Sequence, residues 1–493
     1  MRPHTGRRFA WLTAVILCIP ATACAHAFGE RYDLPAPLAY FVVGAAATVA
    51  FSFVVAVLVS RRAPPSVPSE GLVVALGPLL LPLRQACRAA SVILLALTVI
   101  AGLFGNLNPE MNLAPTLVWI IGWVGLSLVA ACFGNIWPAF DPWRSLFETV
   151  DVLARRLGAT RGITLAWTYP KSLGTWPAVI LLLLFAWLEV VYLQASVPSR
   201  IAYMLLVWSA LTLLGMVCFG RETWQRNADV FAIFFATLGR FAPVGPGPDA
   251  RSIMLRPMGH ELIASGAVPI AMVGFVIAML STVLFDGLLG GQVWWLAKRA
   301  LTRGIPDLVD DNGYWVGTLG LIAVWLLFFF AYLVTCLVTA RLVLNHSVNT
   351  IARLFVLTLV PIAIAYNIAH NLSSLLVQGQ LIIPLVSDPL GRGWDLFGTA
   401  AFYPDIGIID ARLTWYIAIS AIVAGHVISI WLAHRVALRE FGTSRKAVIA
   451  SIPLTLLMVA YTAISLSVIA EPLVQFRNPG APFSLKEKGP GQP

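Results

Sequence analysis

Residues 351–380 read IARLFVLTLVPIAIAYNIAHNLSSLLVQGQ, and how this stretch is read decides the fold. Its first half is apolar enough to enter a bilayer; its second half is not. Asn367, His370, Asn371 and Ser374 recur at i, i+3, i+4 and i+7, so a helix puts all four on one face, and Gln378 extends the stripe by a turn. Polar side chains at membrane depth are costly unless they face protein or a wet cavity, so this helix is expected to face other helices. Pro361 removes a backbone hydrogen bond just before the stripe and predicts a kink. The stripe is either an interhelical hydrogen-bond seam or the wall of a polar pocket with His370 as its reactive or metal-binding member.

Composition places the rest of the chain around that helix. Of 493 residues, 59% are apolar and only 11% charged, with a mean hydropathy of +0.84, against about 25% charged for a soluble protein. The chain therefore reads as an all-α, polytopic transmembrane bundle embedded in a lipid bilayer. The net charge of +10 does not suggest nucleic acid, because the basic residues are spread over many short loops.

Residues 1–25 have the order of a cleaved signal peptide: Arg2, Arg7 and Arg8, an apolar run from Phe9 to Ile19, Pro20, and Ala23-Cys24-Ala25. Cleavage there leaves His26 first, and a free amine beside an imidazole is a bidentate copper ligand. A single transmembrane domain is expected over 26–478, with a flexible tail over 479–493. Ten apolar runs mark the spans: 38–60, 89–105, 115–134, 176–194, 201–220, 265–284, 314–340, 353–378, 413–434 and 448–470. With the mature N-terminus outside, twenty Lys and Arg fall in inner loops and ten in outer segments, as the positive-inside rule requires. The C-terminus then also lies outside. The four cysteines that would remain after cleavage have no metal-type spacing.

Two inner loops are long. Residues 141–156 read as an amphipathic helix at the membrane interface, and 229–241, DVFAIFFATLGRF, looks similar. The regions share an order: Leu117-Val118-Trp119, Cys132-Phe133-Gly134, Trp137, Asp141, and then Leu206-Val207-Trp208, Cys218-Phe219-Gly220, Trp224, Asp229. This is a weak repeat in one orientation, unlike the inverted repeats of many transporters.

Ionisable residues inside spans supply the candidate chemistry. Glu189, Asp286 and His370 share an outer level, His370 lying about 25 Å along its helix from Arg353. His426 is deeper, about 13 Å from Arg435. Two imidazoles and two carboxylates on four helices suit a divalent ion such as zinc, manganese or iron; the rival is a structural Glu–His bond or a proton path. Asn367 and Asn371 would line the pocket. The loop 381–412 follows the stripe directly, carries Trp394 and four carboxylates including Asp395, and reads as a rim or lid.

Four stretches, HAFGERYDLPAPL (26–38), FGNIWPAFDPWRSLF (133–147), STVLFDGL (281–288) and SDPLGRGWDLFGTAAFYPD (387–405), resemble bacterial integral-membrane proteins of the fenitrothion hydrolase family. The resemblance implies hydrolysis of an organophosphorus triester at a P–O–aryl bond and assigns no catalytic residue. Together with the depth argument it yields two expectations. One is a membrane hydrolase of an apolar small-molecule substrate, with His370 and Glu189 as catalytic residues, metal ligands among His370, Glu189, His426 and Asp286, and Trp394 accommodating the aryl group. The other is a transporter or metal-handling protein using the same residues. An assembly role with a second membrane subunit is the bland third.

Overall fold

The computed structural model describes residues 37–59, 71–75, 77–249, 251–305, 313–344 and 346–470. The expected signal peptide, His26 and the tail 479–493 lie outside them.

Among the described residues nine helices are long and apolar enough to cross a membrane: Leu38–Val59, Leu80–Phe104, Leu113–Phe133, Pro198–Phe219, Ile270–Leu289, Tyr314–Val343, Val348–Ser387, Ala411–Phe441 and Ser444–Ala470. The chain is a multi-pass membrane protein built as a helical bundle. His370 bonds Asp286 near the end of Ile270–Leu289 and the loop 388–410 follows the His370 helix, so these share one end, the His370 end; Leu113 N donates to the Pro389 carbonyl there, so Phe133 and the following Pro142–Arg156 mark the opposite one. Most of these segments are apolar all round, which in a membrane lets lipid cover what protein does not. Val348–Ser387 is the most enclosed, with 78% of its most apolar window buried, against 17% in Tyr314–Val343, so the former is central and the latter peripheral.

The expected tenth span, 176–194, is a helix of 15 residues, Trp176–Val190. At 1.5 Å per residue that is about 22 Å, short of the roughly 30 Å hydrocarbon core. Its last turn carries Glu189, which is thereby recessed below the rim of the bundle. A turn over 191–197 leads back into Pro198–Phe219, which has its proline at the first helical turn.

The central helix bends where proline predicts. Val348–Phe355 is α-helical, Val356–Leu359 tightens to 3₁₀, and Val360–Gln378 resumes with Pro361 in its first turn. Gly425 of Ala411–Phe441 packs there; a Cβ on it would stand 2.8 Å from the Pro361 carbonyl oxygen. Leu113–Phe133 is also irregular, since Thr116–Gly125 winds as a π-helix. Buried Asn112 locks the turn before it, donating to the Ala101 and Asn106 carbonyls at 2.8 Å each and accepting from Ala114 N at 3.0 Å.

The weak repeat is present in three dimensions. Phe133 and Phe219 each end a helix, and Gly134 and Gly220 follow at φ 95° and 84°. A short helix bearing Trp137 or Trp224 comes next. Asp141 then caps Pro142–Arg156, accepting from Arg144 N at 2.9 Å, and Asp229 caps Val230–Gly239, accepting from Ala232 N at 3.0 Å. Beyond their caps the two units diverge. Pro142–Arg156 is amphipathic, as expected, burying Trp143 and Phe147. Val230–Gly239 does not lie on an interface: Val230, Ile233, Phe234, Phe235 and Leu238 are all buried, and Phe234 stacks within 4.4 Å of Trp123. The physical reason is composition, because between Asp229 and Arg240 it has no polar face to give to water. A small antiparallel sheet, order Leu72–Ala75, Ser252–Leu255, Val244–Pro246, joins the loops at this end and was not expected.

The two capping aspartates are buried at 0% and 4% exposure. Burial raises both carboxyls above the ordinary range, and Asp141 raises Asp229 further, toward about 8. A carboxyl raised by folding contributes stability that is complete below its unfolded value and lost as pH rises through its folded one. Thermal stability should therefore fall between about pH 4 and pH 8. Asp229→Asn, which keeps the cap oxygen and cannot ionise, should remove most of that slope in melts measured across this range.

Candidate functional site

At the His370 end, the site is assembled from helices that the sequence separates widely. His370 Nε2 lies 2.7 Å from Asp286 Oδ2, joining the central helix to Ile270–Leu289. Their side chains are 25% and 37% exposed, so the pair opens from the bundle rather than being sealed in it. Glu189, at the recessed end of the short helix, is within Coulombic reach of Asp286, and Trp123 stands within hydrogen-bonding reach of its carboxyl. Trp123 belongs to the π-helix and is backed by Phe185 at 4.6 Å. Its neighbour Trp119 donates to the Ala195 carbonyl at 2.9 Å, tying the π-helix to the turn beyond Glu189. Segments of π-helix frequently occur at functional sites because the extra residue per turn re-aims side chains.

Beneath the pair, the Tyr366 ring stacks on the His370 imidazole, centroids 6.2 Å apart. Gly287 makes room for both: a Cβ there would be 3.0 Å from Tyr366 Oη and 3.8 Å from His370 Cε1. Tyr366 Oη and Asn367 Oδ1 are buried with no hydrogen-bond partner. His426 is not gathered with the others. It is 1% exposed, its Nδ1 is 2.8 Å from the Ile422 carbonyl, its ring is 5.6 Å from that of Tyr461, and its Nε2 is unpartnered.

The polar stripe opens gradually, from buried Asn367, through half-buried His370, Asn371 and Ser374, to exposed Gln378. The loop expected as a rim or lid is fastened at Asp405 to Gln380, just beyond the stripe, whose side chain donates to the Asp405 carbonyl and accepts from Asp405 N at 3.0 Å each, and also to another helix end. Asn106 N donates to the Leu390 carbonyl at 2.8 Å and Arg392 Nη2 to that of Phe104 at 2.9 Å. Trp394 is 42% exposed, and Asp395 accepts from Ala400 N at 3.0 Å within the loop. No hydrogen bond or ring contact links either to His370 among the described residues.

Among the described residues no group of three or more His, Cys, Asp or Glu side chains is placed to hold a metal ion. Of the expected ligands only Asp286 and His370 touch, and the bond between them occupies one imidazole nitrogen. What the arrangement offers directly is an imidazole oriented by a carboxylate, with a second carboxyl nearby, at a partly open end of the bundle. Tyr366 and Trp123 were not named from sequence. Tyr366 lies one turn before His370 on its own stripe and was legible there; Trp123 sits in an unbroken apolar run and gave no signal.

No family model, curated protein or solved structure matches the chain.

Proposed function

We propose that this is a membrane-embedded hydrolase of apolar organophosphorus triesters, in a bacterial inner membrane with the His370 end and both mature termini outside. The bond of 2.7 Å between His370 and Asp286 carries the reading. In the tautomer protonated on Nε2, the ring donates to Asp286 and leaves Nδ1 as a base. Nδ1 takes a proton from water as the water oxygen forms a bond to phosphorus. The P–O–aryl bond breaks and its electron pair leaves on the aryloxide. Asp286 stabilises the imidazolium formed, and Glu189 is the second carboxyl within reach of the departing group. A triester dissolves in lipid, so it would arrive through the bilayer. A zinc, manganese, iron or copper ion would act as a Lewis acid on the phosphoryl oxygen, but the side chains gathered do not form a ligand set for one, and no step of this route uses it.

Purified wild type should release nitrophenolate from a nitrophenyl phosphorothioate triester, followed by absorbance, and His370→Gln should release it at least about 100-fold more slowly. A wild type that releases none overturns the proposal. Unchanged activity in the variant overturns the role of His370.

One observation favours a second reading, transport. Tyr366 Oη, Asn367 Oδ1 and His426 Nε2 are buried polar atoms without a hydrogen-bond partner, on two helices that pack together. Such groups at membrane depth suit a proton or cation path. Acidification of vesicles containing the purified protein, without triester hydrolysis, would select this reading.

A further inference from the structure

The opposite end of the bundle holds an unexplained excess of positive charge. Glu148 accepts from Arg88 Nη1 at 2.8 Å, from Arg144 Nε at 2.9 Å, and from Arg221. Arg84 is close enough to Arg88 and Arg144 to feel both charges. One carboxylate thus stands against four guanidiniums, although its oxygens offer about four acceptor sites against five donors on each arginine. The other acids nearby relieve little of this. Glu222 is 77% exposed and reaches Arg221 at 3.0 Å. Asp141 has one oxygen taken by Arg144 N and the other by Gln225 Nε2 at 2.6 Å, so both are already engaged.

A recess of about 310 Å³ opens beside this cluster, lined by Arg144, Arg221 and Arg226 with Asn135, Trp137, Gln225 and one carboxylate, Glu222. Trp137 is only 8% exposed and its indole N–H has no partner; Arg88 Nε is buried and likewise unpaired. Arg88 lies in the cluster rather than in the lining; in the lining itself three guanidiniums and the Trp137 indole face the single carboxylate of Glu222, which is 77% exposed, so donors outnumber acceptors around the space. The recess also lies where Leu113–Phe133 and Pro198–Phe219 end, which is the level of lipid headgroups.

We propose that this recess binds a phosphate-bearing anion, held by Arg144, Arg221 and Arg226. Planar guanidinium forks match phosphate oxygens in pairs, and basic pockets between helix ends are where anionic headgroups are held. The chemistry is shared by an anionic phospholipid headgroup and by free phosphate. The inference is independent of what the His370 end catalyses or carries.

The test uses the full-length protein and its thermal midpoint. One arm compares inorganic phosphate with chloride at equal ionic strength in detergent. The other compares nanodiscs of phosphatidylcholine with and without phosphatidylglycerol. A rise with phosphate alone identifies a free anion, a rise with phosphatidylglycerol alone a headgroup, and a rise in both the shared chemistry. Arg226→Gln should weaken the response roughly tenfold in concentration without moving the midpoint in chloride or pure phosphatidylcholine. Arg144→Gln is the second variant. No rise in either arm, or a rise that survives both substitutions, overturns the proposal.

Discussion

Asp286→Asn should slow triester hydrolysis by roughly 100- to 10,000-fold while leaving the protein folded. The amide is nearly the size of the carboxylate and still reaches His370 Nε2, so little packing is lost. What changes is charge and tautomer. The carboxylate accepts a hydrogen bond from Nε2–H and so keeps Nδ1 free, whereas an amide presenting its NH₂ to the ring favours the opposite tautomer and puts the proton where the base must act. The imidazolium formed as water attacks also loses its counter-charge, in a site whose low polarity makes that loss expensive. Tyr366, stacked on the imidazole, packs against the ring independently of Asp286, so the variant tests chemistry more than shape. Nitrophenolate release and a thermal melt should be read on the same preparation. A lower midpoint with unchanged turnover per folded molecule would mean that the pair is only an interhelical bond. Activity regained by Asp286→Glu would support a charge requirement, since the longer carboxylate can still accept from the ring.

The bundle and the height of its polar residues were legible from sequence, because length, hydropathy and 1.5 Å per residue fix how deep a side chain lies. Direction around the helix axis was not. His370 and Asp286 were assigned to one level and do meet. His426 was grouped with them on residue type, though placed deeper, and its helix turns it toward Tyr461 instead. The loop 381–412 carries a second lesson. Its four carboxylates looked like chemistry, and each accepts a backbone N–H: Asp388 from Arg392 and Gly393, Asp395 from Ala400, Asp405 from Gly407, Asp410 from Leu413. In a loop built of tight turns, Asp is chosen for that reach. Val230–Gly239 and Trp176–Val190 were the hard cases among helices. Both are apolar all round, and hydropathy alone does not say whether such a segment crosses, stops short or enters the core.

Gly134→Ala should be among the most damaging single-methyl changes in the described residues, and its counterpart Gly220→Ala much milder. The two glycines hold the same place in the repeat and both have positive φ, 95° and 84°, where a side chain costs about 1–3 kcal/mol. They differ in surroundings. A Cβ at Gly134 would fall onto the Val244 carbonyl oxygen, a backbone atom held in the small sheet, so neither side can yield cheaply. A Cβ at Gly220 would find its nearest neighbour, Thr164 Cγ2, at 3.7 Å, which is ordinary contact. Overpacking a fixed wall adds roughly 1–3 kcal/mol to the conformational cost, so Gly134→Ala stands to lose about 2–6 kcal/mol, a large part of what holds most domains together. Folded yield and thermal midpoint in detergent, with both variants made side by side, measure the difference. Equal losses would mean that backbone conformation alone sets the cost and that the sheet does not press on the helix end. A clear gap would show that the two copies of one sequence pattern have diverged through what each packs against.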